Sequence, residues 1–193
     1  TASYLYFNNQ LKQKVDLSDH SLLTVKPGQY LDSICLQLLQ QKIIQSCLPA
    51  KVISKVHPER FQFKVGTYNV SNIDSLNALF EHLVSGKEQQ FSFTIVEGEN
   101  LYQVLANIKL NKQLVDDVSH LPYPELSQKL RIKQQHPEGW FYPDTYFYPA
   151  GATASSVLLR AYQKQQQALQ LHWITRDKSI PLQSPYHALV LAS

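Results

Sequence analysis

Nowhere in this 193-residue chain do enough apolar residues run together to make a membrane-spanning helix, and no signal peptide opens it. Lysine and arginine are scattered and never clustered. The formal net charge of +3 and the pI near 8.7 therefore leave no nucleic-acid footprint, only a mildly basic surface suited to a polyanionic polymer or an anionic membrane face. Glycine is scarce, at six residues, and none sits in a phosphate-cradling loop or a nucleophile elbow. The seven histidines (His20, His57, His82, His120, His136, His172, His187) never take metal-ligand spacing, and HExxH is absent, so no metal is expected. Methionine is missing altogether, and a chain that opens on Thr1 without it reads as an excised fragment, with any anchor lying before Thr1. The two cysteines say little. Cys35, inside Ile34-Cys35-Leu36, reads as a buried thiol, and a Cys35–Cys47 disulfide stays open if the compartment is oxidising. With 44% hydrophobic and 17% charged residues, what remains is a globular protein of one large or two small domains.

The richest stretch is 136–149, His-Pro-Glu-Gly-Trp-Phe-Tyr-Pro-Asp-Thr-Tyr-Phe-Tyr-Pro. Proline and glycine at this density break helices and strands, which predicts a stiff ordered loop. Rings beside fixed carboxylates suit a pyranose, whose C–H faces pack on aromatics while its hydroxyls seek polar partners. The competing reading is a proline-stiffened turn that buries the rings as a satellite core. Glu138 and Asp144 could form the acid and carboxylate pair of a glycoside hydrolase. Against that, Asp144 or Thr145 could cap local N–H groups, and Glu138 could hydrogen-bond the loop backbone. Glu97, before Gly98, reads as a turn residue.

One pattern recurs. Thr24-Val25-Lys26-Pro27-Gly28 is an extended run and a Gly turn, followed by apolar residues at helical spacing (Leu31, Ile34, Leu38, Leu39); Thr94-Ile95-Val96-Glu97-Gly98 repeats it with Leu101, Val104, Leu105 and Ile108. Between them, Gly66–Val70 leads to Leu76, Leu79, Phe80 and Leu83, and Gly86 closes that helix. The switch from period two to period 3.6 marks strand-turn-helix units. Residues 20–110 are thus expected to hold two α+β modules sharing one sheet. A short helix is expected after Pro124. A longer one, capped by Ser155 or Ser156 and running to about Leu171, would bury Val157, Leu158, Ala161, Ala168 and Leu169 and leave the Gln-rich 163–167 stretch solvated. From Ser184 and Pro185 a last, apolar helix starts and reaches Ser193 without a closing signal, which reads as a chain that continues.

At Glu138-Gly139-x-x-x-Pro143-Asp144-Thr145-Tyr146 the chain resembles the MltG/YceG-like family of endolytic murein transglycosylases. Phe63-Lys64-Val65-Gly66-Thr67-Tyr68 is similar to that family's F-K-x-G-T-Y. Ser85-Gly86-Lys87 followed by Thr94–Gly98 is similar to its S-G-K … VEG link, and Thr24–Gly28 to the opening of a LysM-like module. The resemblance implies an α+β chain: a LysM-like module over 1–90, a second subdomain and linker over 91–135, and the start of a mainly helical catalytic domain over 136–193. It implies a periplasmic enzyme, held in the inner membrane by an N-terminal helix absent here, that cleaves MurNAc–GlcNAc bonds within nascent peptidoglycan strands and leaves 1,6-anhydro ends. One glutamic acid does the proton work, without cofactor or metal. In the family it lies in an A-S-I-I-E-K-E-T-like helix, so here it is expected just after Ser193 and the chain holds no catalytic residue of its own. Glu138, Tyr142, Asp144, Thr145 and Tyr146 are carried over as substrate-contacting. Cell-wall synthases are implied as partners and nucleic acid is not. The alternative is a non-catalytic peptidoglycan-binding or assembly module.

Overall fold

The computed structural model describes residues 2–192 except 13, 16, 18–20, 134, 178 and 180; His20 and Ser193 lie outside the described residues. The chain divides into two compact units, residues 1–89 and 90–193, each with its own core.

Unit 1 runs α1 (Ala2–Leu11), β1 (Leu22–Val25), α2 (Leu31–Gln40), α3 (Leu48–Ser54), a one-turn 3-10 helix (Pro58–Phe61), β2 (Gly66–Asn69) and α4 (Leu76–Ser85). β1 and β2 pair antiparallel, Leu22 opposite Asn69 and Val25 opposite Gly66. The helices expected after β1 and β2 are present, and their periodic residues Ile34, Leu38, Leu79, Phe80 and Leu83 are buried, whereas Leu39 faces out. Ser75 caps α4 by accepting the Ala78 N–H, and Gly86 ends it at φ 74°, where any other L-residue would be strained. Lys64 lies against that glycine and donates to the Ser85 carbonyl at 3.3 Å, a helix-end carbonyl that would otherwise lack a partner. Cys35 and Cys47 are joined as a disulfide that ties α2 to the start of α3, so Cys35 is buried, as expected, but not a free thiol.

Unit 2 runs β3 (Gln90–Ile95), α5 (Leu101–Leu110), α6 (Tyr123–Lys129), β4 (Asp144–Pro149), α7 (Ala154–Thr175) and α8 (Pro185–Ala192). The α+β class holds, but the strands form two separate two-stranded sheets rather than one shared sheet. β3 pairs antiparallel with β4, from Gln90 opposite Pro149 to Ile95 opposite Asp144. Residues 91–135 and 136–193 are therefore stitched together within one unit. The stretch expected to be all loop ends in this strand. Pro143 stands just before it and Pro149 at its last position, where a missing N–H breaks no central ladder. Tyr146 and Tyr148 point into the core with Trp140 and Phe141, while Phe147 is exposed, and its carbonyl accepts from Arg160 at 2.8 Å. For four of the six rings the satellite-core reading is thus the right one.

α5 opens with a capping box between Asn100 and Gln103. α7 is capped by Thr153, not by Ser155 or Ser156, and runs on to Thr175; Gln165, expected on the wet side, is buried at 9% exposure. Ser155 has another task. Its N–H and hydroxyl both donate to Asp117, at 2.9 and 2.6 Å, and Lys129 joins them at 2.9 Å. Burial pushes the Asp117 carboxyl up, but these donors outweigh it and hold the pKa below the usual range. A depressed folded-state pKa stabilises above the unfolded value of about 4 and is lost as pH falls through the folded one. Acid titration of unfolding should therefore show unit 2 weakening below about pH 4, and Asp117→Asn should flatten that limb. An unchanged acid limb in the variant would refute the assignment.

Candidate functional site

The sharp turn after β3 brings the end of that strand beside the residues that lead into β4. Between them lies an open cleft of about 510 Å³, lined by Thr94, Val96 and Glu97 on one side and Tyr142, Asp144 and Thr145 on the other. Period two in β3 and β4 sends Ile95 and Tyr146 into the core and turns Thr94 and Thr145 outward, where their hydroxyls meet at 2.9 Å. Of the five residues expected at a site, three therefore share this cleft: Tyr142, Asp144 and Thr145.

Glu138 does not line it. Both its carboxylate oxygens accept the Leu101 N–H, at 3.0 and 3.1 Å, which places a negative charge on the first turn of α5. It holds the 137–140 turn to that helix, and Gly139, at φ 75°, lets the chain turn away. Glu138→Ala should cost unit 2 about 1–2 kcal/mol, read as a lower denaturation midpoint, and Glu138→Gln less than half of that. A midpoint unmoved by alanine would show the clamp to be idle.

Tyr146 is likewise structural. It is buried, and its hydroxyl donates to the Tyr142 carbonyl at 2.6 Å. Burial, followed by the charges of Asp144 and Tyr142, pushes its pKa up to about 12, so it stays a neutral donor. Asp144 accepts the N–H of Thr145 at 2.7 Å and pairs with Lys164 of α7. The Lys164 ammonium, then the Thr145 N–H, hold the Asp144 carboxyl below its ordinary range. Lys164 also stands over the Tyr142 ring, 4.9 Å from its centre. With Glu138 clamping α5 and Asp144 engaged twice, the hydrolase pair has no free carboxylate. The cleft offers a ring, two hydroxyls and two carboxylates, Asp144 held in an ion pair and Glu97 just past the end of β3.

Lys164 is the member that the sequence reading missed. The sequence marks it only as a lone cation inside the Gln-rich run; that it meets Asp144 is seen in the fold. Among the described residues no group of three His, Cys, Asp or Glu could hold a metal ion, and no helix is long and apolar enough to cross a membrane.

The YceG-like family model matches residues 23–193, all of unit 2 and unit 1 from Leu23 onward. The chain belongs to the YceG-like family. Among solved structures it is similar to the crystal structure of a YceG-like protein from Listeria monocytogenes, at 20% identity and a TM-score of 0.37, over 83% of this chain and 56% of that one. The YceG-like chain thus spans little more than half the length of that structure. No curated protein matches it.

Proposed function

We propose that this YceG-like chain is the substrate-holding part of an endolytic murein transglycosylase, and that the strand-end cleft of unit 2 receives one sugar of a peptidoglycan strand. The observation that carries the reading is that cleft: three residues of the family-like motif, Tyr142, Asp144 and Thr145, border one open pocket with Thr94 and Glu97. An aromatic ring beside outward hydroxyls and a carboxylate is the surface a pyranose asks for. Glu138 and Tyr146 serve it from behind by fixing backbone. The Cys35–Cys47 disulfide favours an oxidising compartment, in keeping with a periplasmic location on the inner membrane.

The general acid in this reading is a glutamic acid of the full-length protein, and none of the residues of this chain is assigned that part. It gives its proton to the glycosidic oxygen as the C1–O bond of MurNAc breaks. As carboxylate it then takes the proton of the C6 hydroxyl, whose oxygen closes on C1 to form the 1,6-anhydro ring. No water enters, so one carboxyl group suffices. No metal or cofactor is needed, and cell-wall synthases would be its neighbours.

The test uses the full-length protein on purified glycan strands, with products read by mass spectrometry. Anhydro-ended fragments are expected, and they should vanish when that glutamate is replaced by glutamine. Intact strands after prolonged incubation would instead favour a non-catalytic peptidoglycan-binding module, a reading supported by the engaged state of both motif carboxylates. Reducing-end products from this chain alone would sink both.

A further inference from the structure

From β1 to α4 and from β3 to α7 the two units follow the same order of strands and helices, the 3-10 helix of unit 1 apart, while α1 and α8 stand outside the repeat. β1 and β3 each end in a turn closed by the same bonds: the Gln29 N–H to the Lys26 carbonyl at 3.1 Å, and the Glu99 N–H to the Val96 carbonyl at 3.1 Å, with Gly28 and Gly98 at φ 79° and 83°. Even the side-chain closure recurs, Gln29 Oε1 accepting the Lys26 N–H at 2.8 Å and Glu99 Oε2 the Val96 N–H at 2.9 Å. Then come ten-residue α2 and α5, and seven-residue α3 and α6 with proline in their first turns. His57-Pro58-Glu59 and His136-Pro137-Glu138 follow, each just before a buried aromatic, Phe61 or Trp140.

In the second strands Thr67 faces Thr24 at 3.0 Å as Thr145 faces Thr94. The Tyr68 hydroxyl donates to the Lys64 carbonyl at 2.8 Å, as that of Tyr146 does to Tyr142. Ser75 and Thr153 cap the closing helices through the same bond at 3.3 Å. Such agreement of fine bonding with so little shared sequence is the mark of one module present twice.

Matched position by position, Lys64 of unit 1 corresponds to Tyr142 of unit 2, and Gly66 to Asp144. Counting from the caps puts Gly86 opposite Lys164. In unit 1 both glycines leave space that other side chains fill: a Cβ on Gly66 would lie 2.5 Å from the Glu88 carboxyl carbon, and one on Gly86 2.5 Å from Cδ of Lys64. In unit 2 the carboxylate and the ammonium grow from those two positions themselves, as Asp144 and Lys164. The cation has changed sides, from strand to helix, and position 142 has been released to hold a ring that borders the open cleft.

We infer that the two units are copies of one module and that, in the second, this exchange of the lysine freed Tyr142 to become the platform on which one pyranose of the glycan stacks. The inference rests on the sugar reading given above and adds its specificity-determining residue. The probes are a hexamer of β-1,4-linked N-acetylglucosamine and peptide-free peptidoglycan strands, with affinity and thermal midpoint measured on the whole chain.

Lys164→Gly, which leaves the space that Gly86 leaves in unit 1, should lower the midpoint by a few degrees. Tyr142→Lys added to it should restore the midpoint, as Lys64 serves unit 1, while weakening binding of both probes at least about tenfold; Tyr142→Trp should keep binding. A double variant that binds like the unaltered chain would overturn the platform, and one whose midpoint is not restored would overturn the exchange. If the unaltered chain binds neither probe, the sugar reading falls and the platform with it, whereas the melting rescue still reports on the copied module.

Discussion

Replacing Trp140 by alanine should cost unit 2 about 3–5 kcal/mol. The indole is 5% exposed, lies 5.9 Å from the Tyr162 ring of α7, and is stacked at 5.7 Å on Tyr186 of α8. Removing it opens a cavity at the meeting point of the motif turn and the two last helices, and a packed interior relaxes only partly around such a hole. Trp140→Phe should cost less than half as much. It keeps a ring between the tyrosines and also removes an indole N–H that is buried without a hydrogen-bond partner. Urea unfolding followed by circular dichroism is the measurement, since fluorescence would lose one of its two tryptophans. A loss under about 1 kcal/mol for alanine would mean that the turn carries its rings at the surface after all.

Cys35→Ser should destabilise unit 1 by about 2–4 kcal/mol. The bridge spans twelve residues and ties α2 to α3, which also share one core and an exposed Asp32–Lys51 ion pair worth no more than about 1 kcal/mol. Serine also leaves a hydroxyl at a site only 2% exposed. Cys35→Ala separates the two effects, and Cys47→Ala should match it. Reductant should bring the unaltered chain down to the alanine level and leave the variants where they are. Equal midpoints for the unaltered chain with and without reductant would show the thiols to be unpaired in solution.

Much of the fold could be read along the chain, and the failures have a common cause. Leu31–Leu38, Leu76–Leu83 and Leu101–Ile108 announced themselves because a helix face is a local property, repeated every turn. α6 was read as the short helix after Pro124, but α1 and α3 were missed: α1 leaves Leu5 and Tyr6 exposed and so shows no apolar stripe, and α3 has only seven residues. Strand partners are not local at all. Whether β1 meets β3 or β2 depends on chain returning from beyond a helix, so the shared sheet was the wrong guess. β4 hid behind prolines that turned out to mark its limits. The site divides the same way. Tyr142, Asp144 and Thr145 were legible as one motif, but the use of Glu138 was not, because its acceptor geometry is completed by Leu101, 37 residues away. Lys164 was lost in a glutamine run for the same reason: its partner lies twenty residues upstream.

The arginine that reaches across from α7 to the Phe147 carbonyl bears on behaviour at high concentration. A ribbon of two strands is all margin, and an outward phenylalanine on such a margin invites a second molecule to zip onto it. With that oxygen already taken by Arg160, and with Pro143 and Pro149 offering no N–H at either limit of the strand, a newcomer finds few places to bond. On the β4 side, at least, the ribbon can thus keep a greasy ring in water while leaving a neighbouring strand little to pair with.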